Sequence, residues 1–227
     1  MTILSREIMK IPIEDIHGIE ELVCRIMNFD LLNASSKLRD AYEKTKDVAY
    51  HNFTMNAVCE SHEIDEIEND IIRLKNRELL KSKLLADIFH HSTALSFLVI
   101  TLYGYDEVDA KENDMLMSMF LDSWGTAFME CGQSWVLKKI AKRLKKQNLY
   151  TTHAFSPGQG EIPMEMQIPI FKILKPADIG VSLNERYMMH PKKSISGIVG
   201  IQTEKDENSI RPCDICERRE TCANAYA

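Results

Sequence analysis

The sequence predicts an α+β fold, a single domain in which helices flank a mixed or antiparallel sheet. Three stretches carry that prediction. Ser96 to Tyr103 is a near-continuous apolar and β-branched run closed by Gly104, the pattern of a buried strand. Glu112 to Gln147 repeats Leu116, Met119, Phe120, Trp124, Ala127, Phe128, Cys131 and Trp135 at three- and four-residue steps, the stripe of one long helix. Ile179, Val181 and Leu183 alternate with polar or small residues, and Ile195 to Ile201 forms a second short run broken by Gly197 and Gly200. The turn between those two runs predicts that they pair antiparallel.

The earlier elements follow in order. Pro12 to Met27 spaces Ile13, Ile16, Ile19, Val23 and Ile26 as a helix does, with Pro12 suited to the first position, where no N–H is needed. Ser35 is a natural N-cap for a helix reaching Tyr50. Phe53, Met55 and Ala57 alternate as in a strand, and Ile71, Ile72 and Leu74 predict another after an acidic stretch. Leu79 to Phe89 puts Leu80, Leu84 and Ile88 on one helical stripe, with His90 and His91 at its end. Adjacent helical histidines point about 100° apart, which disfavours a shared metal. Tyr105 to Asp109 reads as a polar connection. Pro163 opens a helix to about Lys175, and Pro169 within it requires a bend or a late true start.

Composition narrows the function. The net charge of -6 argues against a general nucleic-acid binder. No apolar run approaches the roughly 20 residues that span a bilayer. The first residues lack a basic-then-apolar leader pattern, so the expected location is cytoplasmic. There six cysteines are thiols or ligands rather than disulfides. Isolated Cys24 and Cys59 read as packed small side chains, and His17, His51 and His62 have no partner at ligand spacing.

The chain's organising stretch is 154–201. Ala154-Phe155-Ser156-Pro157-Gly158-Gln159-Gly160 is a turn with a mechanism: Pro157 fixes its own φ, while Gly158 and Gly160 permit angles that a side chain forbids. Beyond it stand a helix, then Ile179-Gly180-Val181-Ser182-Leu183-Asn184-Glu185, then His190-Pro191-Lys192-Lys193-Ser194-Ile195-Ser196-Gly197. Together with Leu98–Gly104 and Leu121–Glu130, this order resembles the activation domain of cobalamin-dependent methionine synthase, most clearly over 97–201.

The resemblance implies several things. Residues 1–95 would be an N-terminal part of the domain, 96–204 its activation-domain-like core, and 205–227 a tail outside the classical domain. S-adenosylmethionine would sit against Ala154, Ser156, Pro157, Gly158 and Gln159, with Glu130, at the margin of the long helix's apolar stripe, opposite. The function implied is an accessory to corrinoid-dependent methyl transfer, remethylating inactive cobalamin held by a partner: a corrinoid protein or methionine synthase-like methyltransferase. Two positions depart from the family pattern. Ala154 stands where an arginine is usual and Gln159 where a tyrosine is usual, removing a charge-assisted bond of about 1.5–3 kcal/mol and an aromatic contact.

The tail carries Cys213, Cys216 and Cys222 as C-x2-C-x5-C. Cys-x-x-Cys brings two sulfurs to one small metal, and a third nearby thiolate extends the set toward zinc or an iron–sulfur cluster. Arg218 and Arg219 favour thiolates. This supports a second reading, a metal- or iron–sulfur-bearing interaction protein on the same fold that no longer binds S-adenosylmethionine. Lys138, Lys139, Lys142, Arg143, Lys145 and Lys146 end the long helix. They read either as a solvated face or as a docking patch for an acidic electron carrier, a flavodoxin or ferredoxin.

Overall fold

The computed structural model describes residues 3–207 and 209–222. Its frame is one antiparallel sheet. Strands β1 (Glu7–Ile11), β2 (Thr54–Glu68), β3 (Ile71–Leu74), β4 (Leu79–Lys81), β5 (Ala94–Tyr103), β6 (Tyr150–Phe155) and β9 (Ser194–Gln202) form it in the order β4-β3-β2-β5-β9-β6. The 15-residue β2 pairs with β5 along 54–63, while its other edge takes β1 at 55–59 and β3 at 64–68. A separate ribbon joins β7 (Ser182–Leu183) to β8 (Met189–His190).

The central run is buried on both faces, as an unbroken apolar strand should be. Leu98, Ile100 and Leu102 of β5 face helices α1 (Ile19–Ile26), α2 (Ser36–Asn52) and α5 (Met115–Lys145). Leu95, Phe97 and Val99 face α3 (Lys83–Ile88) and α6 (Gln167–Leu174). Residues of 1–95 and of 96–204 both enter this sheet and both clusters. No helix among the described residues is long and apolar enough to cross a membrane.

Several local expectations are revised. The helix predicted over 12–27 breaks at Gly18, whose φ of 86° caps α1 and leaves only a 3-10 turn at Ile13–Asp15. The helix predicted over 79–89 is β4 followed by α3, because Ser82 caps at its side chain, accepting from the Leu85 N–H. His90 and His91 therefore leave the helix, and their rings lie 3.6 Å apart rather than diverging. Tyr105–Asp109 is a short helix, α4, started by Gly104. Pro169 sits in the first turn of α6, consistent with its late start. Of the run from Ile179 only Ser182 and Leu183 are strand, Ile179 closing a 3-10 turn that starts at Pro176, and β7 pairs with β8, not with β9. Instead β9 lies between β5 and β6. The edge strands β1 and β6 were not expected.

Helix α5 begins at Asp114, whose side chain accepts from the Met117 N–H at 3.0 Å. Its face holds Phe120, Trp124, Ala127 and Phe128 in the core, but Met119 is half exposed and Cys131 and Trp135 are only partly buried. Gly132 lets the helix press onto Met55: a Cβ there would lie 2.4 Å from the Met55 Cε.

Candidate functional site

Strand β6 pairs with β9 through Phe155 and Ile198, with an irregularity between Thr151 and Ala154, and delivers Ser156 to the strand's end. The Ser156 hydroxyl donates to the Ser196 carbonyl at 2.7 Å. From there the turn holds itself. The Ser156 N–H donates to the Gln159 side-chain oxygen at 2.8 Å, the Gln159 N–H to the Ser156 carbonyl at 3.1 Å, and the Gly158 N–H to the Ile162 carbonyl at 2.9 Å. Gln159 is thus the turn's internal acceptor. Gly158 has φ 85° and Gly160 φ 52°, conformations that only glycine adopts freely.

Each glycine is exposed, yet each has a close neighbour on the side where a Cβ would sit. A Cβ on Gly158 would lie 2.7 Å from the Met164 sulfur, and one on Gly160 would lie 2.9 Å from the Ile215 carbonyl oxygen. Ser196 is buried and its Oγ has no hydrogen-bond partner. By strand alternation Ser196 shares the face of Ile198, the same side as Phe155, Ile162, Met166 and Ile215.

Ala154 is half-buried and packs against the helical cluster. Glu130 is exposed by surface area, yet protein around its carboxyl raises its pKa through desolvation, an effect Arg25 of α1 partly offsets. None of the turn contacts just described involves Glu130.

No local pattern signals the clamp at the β8–β9 connection. The His190–Pro191 peptide is cis. The two lysines after it tie the β8–β9 connection to α4 and α5. Lys192 donates its N–H to Asp106 and its Nζ to Asp109 at 2.9 Å. Lys193, with a side chain only 16% exposed, donates Nζ to the Asp122 carboxylate at 2.7 Å and to Thr126 Oγ1 at 2.9 Å. The same ammonium lies 5.0 Å from the centre of the Tyr105 ring. Burial, and next the Asp122 charge, push the Tyr105 hydroxyl above the ordinary tyrosine range. These partners lie 67 to 88 residues apart in the chain, so no local pattern announces them.

Lys193→Met should therefore lower stability by about 1–2 kcal/mol, the low end for a charged hydrogen-bonded group because Asp122 itself is largely exposed. Urea unfolding checks the value. A cost unchanged in a Lys193→Met, Asp122→Asn double variant would show that the pair is the interaction lost.

In the tail, Pro212–Ile215 forms a 3-10 turn with Cys213 half-buried at its second position; Cys216 and Cys222 are exposed. Among the described residues, no three His, Cys, Asp or Glu side chains gather at metal-holding distance. Cys59 of β2, paired with Glu7 of β1, is buried, and burial pushes its thiol up to about 11. Burial, and then Glu130, also raise the Cys131 thiol. Open cavities of about 490 and 510 Å³ lie between α2 and α5 and beside the β2–β3 hairpin; no turn residue lines either.

No protein-family model matches the chain, and no curated protein matches it. A solved structure does: the crystal structure of the MetH reactivation domain bound to AdoHcy, with a TM-score of 0.67 over 91% of this chain and 81% of that one. The fold is that of the MetH reactivation domain. At 12% identity the likeness to the MetH reactivation domain establishes architecture, an antiparallel sheet with helices on its faces, and nothing about side-chain roles.

Proposed function

We propose that this protein is an accessory to corrinoid-dependent methyl transfer, a module that binds S-adenosylmethionine and serves a corrinoid protein or methionine synthase-like methyltransferase. The observation that supports it most is the likeness of nearly the whole chain to a reactivation domain bound to AdoHcy. The residues present fit a small ligand held mainly through main chain. Two positive-φ glycines leave backbone open to close approach, and Ser196, whose carbonyl holds Ser156 at the start of the turn, has a buried hydroxyl without a hydrogen-bond partner. Ser156, Pro157, Gly158 and Gln159 would form the ligand edge, Ala154 would pack below it, and Glu130 would face the ligand from α5.

When bound, S-adenosylmethionine supplies a methyl group to the corrinoid carried by the partner. This chain's part is to orient the ligand and exclude water, and it does so without the arginine and tyrosine that usually grip. Exposed Lys138, Lys142, Lys145 and Lys146 would draw in an acidic electron carrier, a flavodoxin or ferredoxin. Arg143 is already engaged by Glu7, and Lys139 lies over Trp135.

Titration calorimetry and thermal shift with S-adenosylmethionine test the reading. Ligand at tenfold its Kd should add about 1.4 kcal/mol of stability, a rise of roughly 3–6 °C in Tm. No heat and no shift at millimolar ligand would count against it.

A second reading, a metal- or iron–sulfur-bearing interaction protein, is favoured by Gln159, whose side chain serves the turn itself rather than a ligand. On that reading Cys213, Cys216 and Cys222 hold zinc or a cluster, completed by a further ligand. An absorption spectrum and metal analysis of anaerobically purified protein decide it: a colourless sample free of iron and zinc removes it.

A further inference from the structure

We propose that Cys213 and Cys216 form a dithiol–disulfide exchange pair, in which Cys216 attacks a disulfide substrate and Cys213 resolves the mixed disulfide that results.

The local fold brings the two residues together. Pro212 opens a 3-10 turn with a fixed φ, and the Arg211 N–H donates to the Asp214 carboxylate at 2.8 Å. The Cys216 N–H donates to the Cys213 carbonyl at 3.3 Å, so the cysteines are the first and last residues of one closed turn. Such a turn holds its end Cα atoms within about 7 Å, and a disulfide spans about 4.4–6.8 Å between Cα atoms. In 3-10 geometry, side chains three residues apart lie nearly one above the other. Ile215, between the two cysteines, packs against the cluster that holds Phe155 and Ile162, which sets the turn against the sheet. Closing the bond is then an intramolecular step at high effective concentration.

Exposure assigns the roles. Cys216 is exposed and Cys213 half-buried, so a bulky disulfide meets Cys216 first. Cys222 is exposed as well, but two further turns set it apart. The Arg219 N–H donates to the Cys216 carbonyl and the Thr221 N–H to the Arg218 carbonyl, each at 3.1 Å. Cys24, Cys59 and Cys131 belong to the helical cluster on the other face of the sheet. Among the described residues no three metal-ligating side chains gather, whereas exchange needs only two neighbouring thiols.

The chemistry balances with a disulfide R–S–S–R as oxidant. The Cys216 thiolate attacks one of its sulfurs, forming Cys216–S–S–R and releasing R–S⁻. The Cys213 thiolate then attacks the Cys216 sulfur, closes the Cys213–Cys216 bond and releases the second R–S⁻. The chain loses two electrons and two protons, and the substrate leaves as two thiols. Exchange is reversible, so the pair follows the surrounding ratio of thiol to disulfide and needs no oxidising compartment.

The test treats the reduced full chain with oxidised glutathione in the presence of a chelator, then maps linkages and adducts by peptide mass spectrometry. A Cys213–Cys216 disulfide should exceed every other linkage at least tenfold, with buried Cys59 still reduced. Cys213→Ser should stop the reaction at a glutathione adduct on Cys216. Cys216→Ser should form its adduct on Cys213 at least threefold more slowly than that one, and Cys222→Ser should change neither rate nor product. A lasting adduct on Cys216 in the parent chain would overturn the pair. So would a Cys216–Cys222 or between-chain linkage in comparable amount. Stoichiometric zinc or iron that protects all three tail thiols in the chain as purified would also overturn it, in favour of the metal reading.

Discussion

Trp124→Ala should lower the unfolding free energy by about 3–5 kcal/mol, the range for emptying a buried aromatic site. Trp124 is fully buried at the centre of a ring cluster, with Tyr42 at 5.3 Å and Tyr50 at 5.9 Å between centroids. Its indole N–H donates to Thr45 Oγ1 at 3.1 Å, and Thr45 in turn donates to the Ala41 carbonyl at 2.7 Å. Alanine removes the ring and the bond together. Thr45 keeps its own acceptor, so no buried donor is stranded and the cavity dominates the loss.

Trp124→Phe separates the two effects. It keeps most of the ring volume and should cost about 1–2 kcal/mol, from the lost hydrogen bond and a smaller void. Urea unfolding followed by circular dichroism measures both. For the alanine variant the fall in Tm should be about 6–20 °C. A loss below about 1 kcal/mol would mean that α2 and α5 do not pack as one unit around this ring.

The contrast between what the sequence disclosed and what it hid follows from range. Ser96–Tyr103 announces itself because a strand covered on both sides has no polar face to interrupt the run. Ser35 and the α5 stripe are legible for the same reason: a cap or a helical period is written within a few residues. Strands β1 and β6 are not. Lys10 and Glu7 in one, and Thr151, Thr152 and His153 in the other, read as loop, and only pairing with β2 and β9 makes them strands. The misassigned partner of β7 has the same cause. Proximity in sequence favoured β9, but β9 is claimed on both edges by β5 and β6.

The candidate site divides in the same way. Its glycines were legible from the turn's own chemistry, and both adopt positive φ. The neighbour at Gly160 was not, because Ile215 arrives from 55 residues away. Gln159 shows the limit of reading a departure from a family pattern. In sequence it is a missing aromatic ring; in the fold it is the acceptor that closes the turn.

Gly104→Ala is expected to be among the most damaging single substitutions in the chain, costing about 3 kcal/mol or more. Gly104 has φ 86°, and an added Cβ would lie 2.1 Å from the Asn52 carbonyl oxygen and 2.9 Å from its carbon. Both are backbone atoms at the end of α2, so no side chain can swing aside. Gly18 supplies the control. It too has φ 86° and stands before a helix, but a Cβ there meets nothing within 4 Å. Gly18→Ala therefore carries only the left-handed strain, about 1–2 kcal/mol. The difference between the two variants isolates the collision of β5's end with α2. Equal losses in urea would show that the contact yields freely. A collision that does not yield must move Gly104 and, with it, Tyr105, whose ring underlies Lys193 and whose hydroxyl donates to Asp122. Adding Lys193→Met to Gly104→Ala should then cost less than the two singles combined, since the first change has already loosened what the second removes.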